Sequence, residues 1–178
     1  MKKEIQVFDY AEEILRKLEK GIILNTRAEG KRNCMTISWG TLGIDWGKII
    51  FGVYVRENRC TKEQLEKNPE FTISIPMGDF DKRIIGVCGT ESGYEVDKIK
   101  ELGLTEEEPK SISVPGIKEL PLTLECKVIY KQEQDKNVIG EDIKQKFYPQ
   151  DVHSKYHGAN KDYHTMYYGE IVSAYIIE

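Results

Sequence analysis

No two of the four cysteines form a Cys-x-x-Cys pair; Cys34, Cys60, Cys88 and Cys126 are scattered through 178 residues. That scatter excludes a metal ribbon and the dense disulfide framework of a small secreted domain, and it reads as reduced thiols packed as small apolar groups. No apolar run is long enough for a signal peptide or a membrane span, so a cytoplasmic chain with no membrane contact is expected. A basic surplus is also missing. Lys and Arg number 26 against 30 Asp and Glu, a net charge of −4, which argues against nucleic acid as a partner. A local pair of arginines can still hold a small anion inside an acidic protein. No G-x-G-x-x-G follows a strand, so no dinucleotide sits in a Rossmann domain of its own, and no nucleophile elbow or Ser/His/Asp set is visible. His153 and His157 are four apart, but Pro149 and Gly158 interrupt their segment and the H-E-x-x-H glutamate is lacking. No metal site is expected there.

What is present reads as one domain spanning 1–178 with an insertion at about 133–161. Asp9 to Lys20 is the clearest helix, with Ala11, Ile14, Leu15 and Leu18 on one face, Asp9 and Glu12 as a capping box, and Gly21 as its stop. Strands are expected at Ile22–Thr26, Cys34–Trp39, Ile49–Val55, Phe71–Pro76, Leu120–Lys131 and Tyr163–Ile177, with turns at Ala28–Lys31 and Gly43–Lys48. Short helices are expected at Thr61–Lys67, where Thr61 and Gln64 make a second capping box, and at Asp81–Cys88 and Val96–Leu102. Many short strands with small helices between them argue for a barrel rather than a doubly wound sheet. The charged segment from Glu133 to Lys161 is long for a plain connection, and suits a cover over a site or a neighbouring subunit.

Two segments carry the chemistry. Asn33-Cys34-Met35-Thr36-Ile37-Ser38-Trp39-Gly40-Thr41 reads as a strand ending in small and hydroxyl residues. Val55-Arg56-Glu57-Asn58-Arg59-Cys60-Thr61 ends a β-branched run with two arginines and a threonine that can open a helix. One end offers backbone amides and hydroxyls, the other guanidinium groups, a combination that suits a planar polar ring with an anionic tail. A strand pair with solvated arginines at its tip fits the same residues.

These segments resemble the flavin reductase-like family of FMN-binding split barrels, which includes flavoredoxins and the reductase components of two-component monooxygenases. Gly89-Thr90-Glu91-Ser92-Gly93-Tyr94-Glu95-Val96-Asp97-Lys98 is similar to the family's G-x-x-S-G-x-x-x-D-K element, and Leu120–Cys126 to its later barrel strand. Asp162-Tyr163-His164 through Val172 is similar to its D-H-x-x-x-x-G-x-V strand. Two departures stand out: Tyr94 replaces a residue often basic, and Tyr163 separates the aspartate from the histidine. The resemblance implies a mainly β fold, a six-stranded, mostly antiparallel Greek-key-like split β-barrel with small flanking helices. It also implies a homodimer whose interface completes the cofactor site, for which Tyr163, Tyr167, Tyr168 and Tyr175 of the last strand are interface material.

Carried over residue by residue, the resemblance gives Arg56, Arg59, Thr61 and Lys98 to the FMN phosphate. It places Asn33, Met35, Thr36, Ser38, Trp39 and Ser92 around the rest of the cofactor, with Asp97 structural. His164 faces the flavin and the nicotinamide, where it would orient the pyridine carboxamide or stabilise charge on reduced flavin. Hydride transfer between the two rings needs no protein base. The expected activity is that of an NAD(P)H:flavin oxidoreductase with bound FMN, using NADH or NADPH as a transient substrate and delivering electrons to free flavin, a ferric complex or a redox protein. A flavoredoxin-like electron-transfer protein without fast nicotinamide oxidation is the alternative. A split barrel for pyridoxal phosphate or haem is a third.

Overall fold

The computed structural model describes residues 1–178. In chain order the strands are β1 (Lys2–Glu4), β2 (Ile22–Ala28), β3 (Lys31–Ile37), β4 (Gly40–Asp45), β5 (Lys48–Arg56), β6 (Glu70–Ile75), β7 (Glu106–Glu107), β8 (Gly116–Ile117), β9 (Leu122–Glu133) and β10 (His164–Ile177). The helices are α1 (Ala11–Lys20), α2 (Cys60–Lys67), α3 (Arg83–Thr90), α4 (Lys98–Glu101) and α5 (Glu141–Phe147). No helix is long and apolar enough to cross a membrane.

Two hairpins organise the sheet. Glu29 and Gly30 turn β2 into β3 at φ 51° and 75°, and Trp46 and Gly47 turn β4 into β5 at φ 49° and 71°. Two successive residues at positive φ are what a type I′ turn requires, and its twist matches that of the strands it joins. The pairing order is β3-β2-β6-β9-β10-β5-β4, antiparallel throughout, with β1 also on β10, an eight-stranded sheet; β7 and β8 pair separately. β3 and β4 stand at opposite ends of that order, yet only Ser38 and Trp39 join them. Such a link spans at most about 11 Å, so the sheet must curl until its two edges nearly meet. The result is a split barrel.

Alternation along the strands sends one face inward. Ile22 and Leu24, Phe51, Val53 and Val55, Phe71 and Ile73, and Leu122 and Leu124 share one core, which Ile14 and Leu18 of α1 join. Ile23 and Cys34 face outward and are covered by Ile84 and Cys88 of α3 and Ile99 of α4. Both faces of β2 and β3 are therefore packed, and the outer one is covered by short helices that also border the cleft described below.

The six expected strands are all present. Gly40–Asp45, expected as part of a strand end and a turn, is itself strand β4, because the tight Trp46-Gly47 turn lets it pair with β5 from Gly40 to Asp45. With β1 it raises the main sheet from six strands to eight, and β7 and β8 form a separate pair. Neither capping box forms. Asp9 lies in a 3₁₀ turn at Val7–Tyr10, and Tyr10 precedes α1 without a side-chain cap. Arg59 precedes α2, while Thr61 and Gln64 turn inward to bond Asn33 and Thr26; burial makes those partners worth more than a helix cap in water. Leu15, expected on the buried face of α1, is exposed. Tyr167 and Tyr175 are also not interface material: both are buried, their hydroxyls donating to Glu66 at 2.7 Å and Glu125 at 2.9 Å. Tyr163 stacks on Tyr148, with ring centroids 4.6 Å apart.

Candidate functional site

A cleft of about 880 Å³ opens where β3, β5 and β10 meet the loops around α2 and α3. The residues that the sequence analysis assigned to a cofactor or to catalysis all line it. β3 contributes Asn33, Met35 and Thr36, and the link to β4 contributes Ser38 and Trp39. Arg56 ends β5, and Arg59 and Thr61 start α2. Ser92 lies between α3 and α4, Lys98 starts α4, and His164 starts β10, opposite Arg56 in the ladder. Cations prevail in the lining: Arg56, Arg59, Lys98, Lys146 and Lys155 against Glu91 and Glu95. An acidic protein thus carries a local positive surplus at this cleft.

The cations are not equivalent. Arg56 is buried and donates to the carbonyls of Phe147 at 3.0 Å, Asn160 at 3.3 Å and Asp162, with its guanidinium 5.1 Å from the Tyr148 ring. Arg59 donates to the carbonyls of Tyr156 at 3.3 Å and His157 at 3.4 Å. Both arginines, expected as donors to an anion, hold the 133–161 segment against the barrel, and only part of each fork remains for a ligand. Burial lowers the pKa of both. Lys98 differs. It is 4% exposed and donates only to the Glu91 carbonyl, at 3.3 Å. A buried ammonium without a carboxylate partner is a costly arrangement, and an anion in the cleft would offset that cost. Asp97 caps α4 by accepting from the Lys100 amide at 3.1 Å and pairs with Arg32 at 3.3 Å, a structural role.

Asn33 donates to Thr61 Oγ1 at 2.8 Å, and its Oδ1 is buried without a partner. Gly93 lies against it: a Cβ there would sit 2.1 Å from that oxygen. The glycine therefore lets the loop after α3 close over the polar floor of the cleft. Thr36 donates to the Ile85 carbonyl at 2.7 Å, tying β3 to α3. Ser38 and Trp39 lie outside both ladders, which leaves their N–H groups available to a ligand's carbonyl edge.

The hydrogen bonds fix the state of His164. Its backbone N–H donates to Gln134 Oε1 at 3.0 Å, so that atom of Gln134 must be the acceptor oxygen. The Tyr148 hydroxyl also donates to it, at 2.9 Å. A hydroxyl has one proton, so at 2.9 Å from His164 Nδ1 the Tyr148 oxygen must accept. Nδ1 therefore carries the proton and Nε2 presents a lone pair. Burial, then the charges of Arg56 and Arg59, push the His164 pKa down to about 3. Neutral His164 thus presents an acceptor, which suits the orienting of a carboxamide rather than the stabilising of negative charge, the two roles expected of it.

The segment from 133 to 161 was expected as a cover over a site or a neighbouring subunit, but sequence reasoning named none of its residues there. Lys146, Phe147, Lys155 and His157 line the cleft, as does Tyr54. Phe147 meets Trp39 edge-on at 5.1 Å, and Trp39 lies 5.2 Å from His164. The unusual length of the segment was the available signal.

Residues 15–178 match the family described as flavin reductase like domain. An uncharacterised protein of Archaeoglobus fulgidus is 32% identical over 103 residues, 58% of this chain and 57% of that protein. The chain spans little more than half the length of the curated relatives it matches. Among solved structures, flavoredoxin of Desulfovibrio vulgaris (Miyazaki F) superposes with a TM-score of 0.66 at 23% identity, covering 89% of this chain and 69% of that one. Flavoredoxin from Methanosarcina acetivorans gives 0.65 at 25% identity, covering 89% and 68%. With the barrel, the cleft and the matched residues in agreement, the chain belongs to the flavin reductase-like domain family.

Proposed function

We propose that this chain is a flavin reductase that binds FMN in the cleft, oxidises NADH or NADPH, and passes the electrons to free flavin, a ferric complex or a redox protein. The observation that carries this reading is the cleft's lining, in which a positive surplus containing the unpaired, buried Lys98 shares one cavity with Trp39, Met35, Tyr54 and Phe147. The residues fit the cofactor on this chain's own evidence. Lys98 and the start of α2 suit a phosphate, the unpartnered Asn33 Oδ1 suits a hydroxyl or N–H donor, and the Ser38–Trp39 amides suit a carbonyl edge. FMN, when bound, supplies the ring that takes up a hydride and releases electrons singly or in pairs. His164 offers Nε2 as an acceptor to an amide N–H, which orients a carboxamide. Negative charge on a reduced ring falls instead to backbone N–H groups and the neighbouring cations.

A second reading is an electron-transfer protein like the flavoredoxins it resembles in fold. Phe147 favours it, since it packs edge-on against Trp39, which lies beside His164, and narrows the cleft there. Both readings give a yellow protein whose extracted ligand has the mass of FMN, not of pyridoxal phosphate or haem. Only the reductase bleaches rapidly when NADH or NADPH is added without oxygen. We also propose a homodimer, formed through exposed Trp46 and Tyr130 with Tyr168, whose rings cluster 5.7–6.4 Å apart on one face of the barrel.

A further inference from the structure

Cys34 on β3 and Cys88 on α3, fifty-four residues apart in the chain, bring their sulfurs to 3.4 Å. The two elements pack directly, and Thr36 ties them again through the Ile85 carbonyl. The partners differ in access. Cys34 is fully buried and does not line the cleft, whereas Cys88, 2% exposed, borders the cleft from the last turn of α3, just before the loop that forms its wall. Lys98, the ammonium without a carboxylate partner, lies in the same wall. We propose that Cys34 and Cys88 are a redox-active dithiol, which oxidises to an intramolecular disulfide by exchange with small disulfides entering through the cleft.

Geometry allows the bond. The sulfurs need to approach by about 1.4 Å to reach a disulfide length, a change within reach of side-chain rotation between two short packed elements. A thiolate is the nucleophile in such exchange. Either sulfur can donate to the other; their contact, together with the Lys98 charge, lowers the Cys88 pKa, while contact and burial push that of Cys34 up. Cys88 therefore attacks first. Its thiolate displaces one thiolate from the incoming disulfide and forms a mixed disulfide. Cys34, losing its proton to solvent or to the departing thiolate, then attacks the Cys88 sulfur and expels the second thiolate. Two protein thiols and one disulfide become one protein disulfide and two small thiols, and excess dithiol reverses the sequence. Cys60 also borders the cleft, but burial and Glu63 raise its pKa, and Cys126 is wholly buried without a sulfur neighbour.

The test uses the intact chain equilibrated without oxygen in mixtures of oxidised and reduced dithiothreitol, then denatured, alkylated and mapped by mass spectrometry. Oxidising mixtures should remove two of the four alkylatable thiols, take away two hydrogen masses, and yield one cross-linked peptide pair containing Cys34 and Cys88. Reducing mixtures should restore all four. Four free thiols at every ratio, or a bond joining any other pair, overturns the proposal. In Cys34→Ser, oxidised glutathione should accumulate as a mixed disulfide on Cys88, and in Cys88→Ser, Cys34 should stay unmodified; the reverse pattern refutes the order of attack. The wild-type titration decides the matter even if a variant fails to fold. None of these readouts needs FMN, so the dithiol and the flavin reading stand or fall separately.

Discussion

Replacing Tyr148 by Phe removes a single oxygen and tests how the segment between β9 and β10 governs His164. The hydroxyl accepts from Nδ1 at 2.9 Å and donates to Gln134 at 2.9 Å. Its loss leaves a buried N–H without an acceptor, which costs about 1–3 kcal/mol, a range that includes the lost bond to Gln134. The imidazole relieves that cost by moving its proton to Nε2. Urea unfolding at neutral pH measures the loss of stability, and the ring ¹⁵N shifts, assigned with His164→Gln, report the tautomer. Wild type should show Nδ1 protonated and Tyr148→Phe should show Nε2 protonated. Both should resist protonation to well below pH 6.5, because burial is the main cause of the depressed pKa. The sign of the pH effect follows. The unfolded chain takes up a proton at His164 near pH 6.5 and the folded chain only near 3. Stability from the neutral ring is complete above 6.5 and falls as the pH drops toward 3, by up to about 5 kcal/mol. His164→Gln should lack that component. A wild-type ring protonated at Nε2, or one titrating near 6.5, would refute the hydrogen-bond reasoning.

Lys98→Met, which keeps the buried stem, should weaken FMN by about 1.5–3 kcal/mol and leave riboflavin nearly unchanged in paired titrations; equal losses would make Lys98 structural. Arg56→Ala should weaken both ligands alike and speed amide exchange across residues 147–162, because its bonds run to the carbonyls of that segment. A phosphate-only loss there would restore Arg56 as a direct ligand. Gly93→Ala should lower the thermal midpoint and FMN affinity together, since the new Cβ meets the Asn33 amide; an unchanged midpoint would mean the loop has room to move.

The local parts of this protein were legible in its residues. The Glu29-Gly30 turn, the long strands and the helix ended by Gly21 depend on contacts within a few positions, where steric rules and periodicity act. Part of the cleft's lining was legible too, because those residues sit at strand ends and helix starts that the family motifs mark, whereas Tyr54, Lys146, Phe147, Lys155 and His157 were not. What those residues do inside the cleft was decided by tertiary structure. A guanidinium looks the same in sequence whether it faces a phosphate or three carbonyls from the far end of the chain, and Arg56 faces the carbonyls. Thr61 and Gln64 have the spacing of a cap but spend their polar groups on Asn33 and Thr26, partners that only sheet packing brings near. His164 takes its tautomer from Tyr148 and Gln134, and Cys34 meets Cys88 because α3 lies over β3. In each case a polar or reactive group is buried, must be satisfied where it lies, and takes the partner that the folded chain supplies.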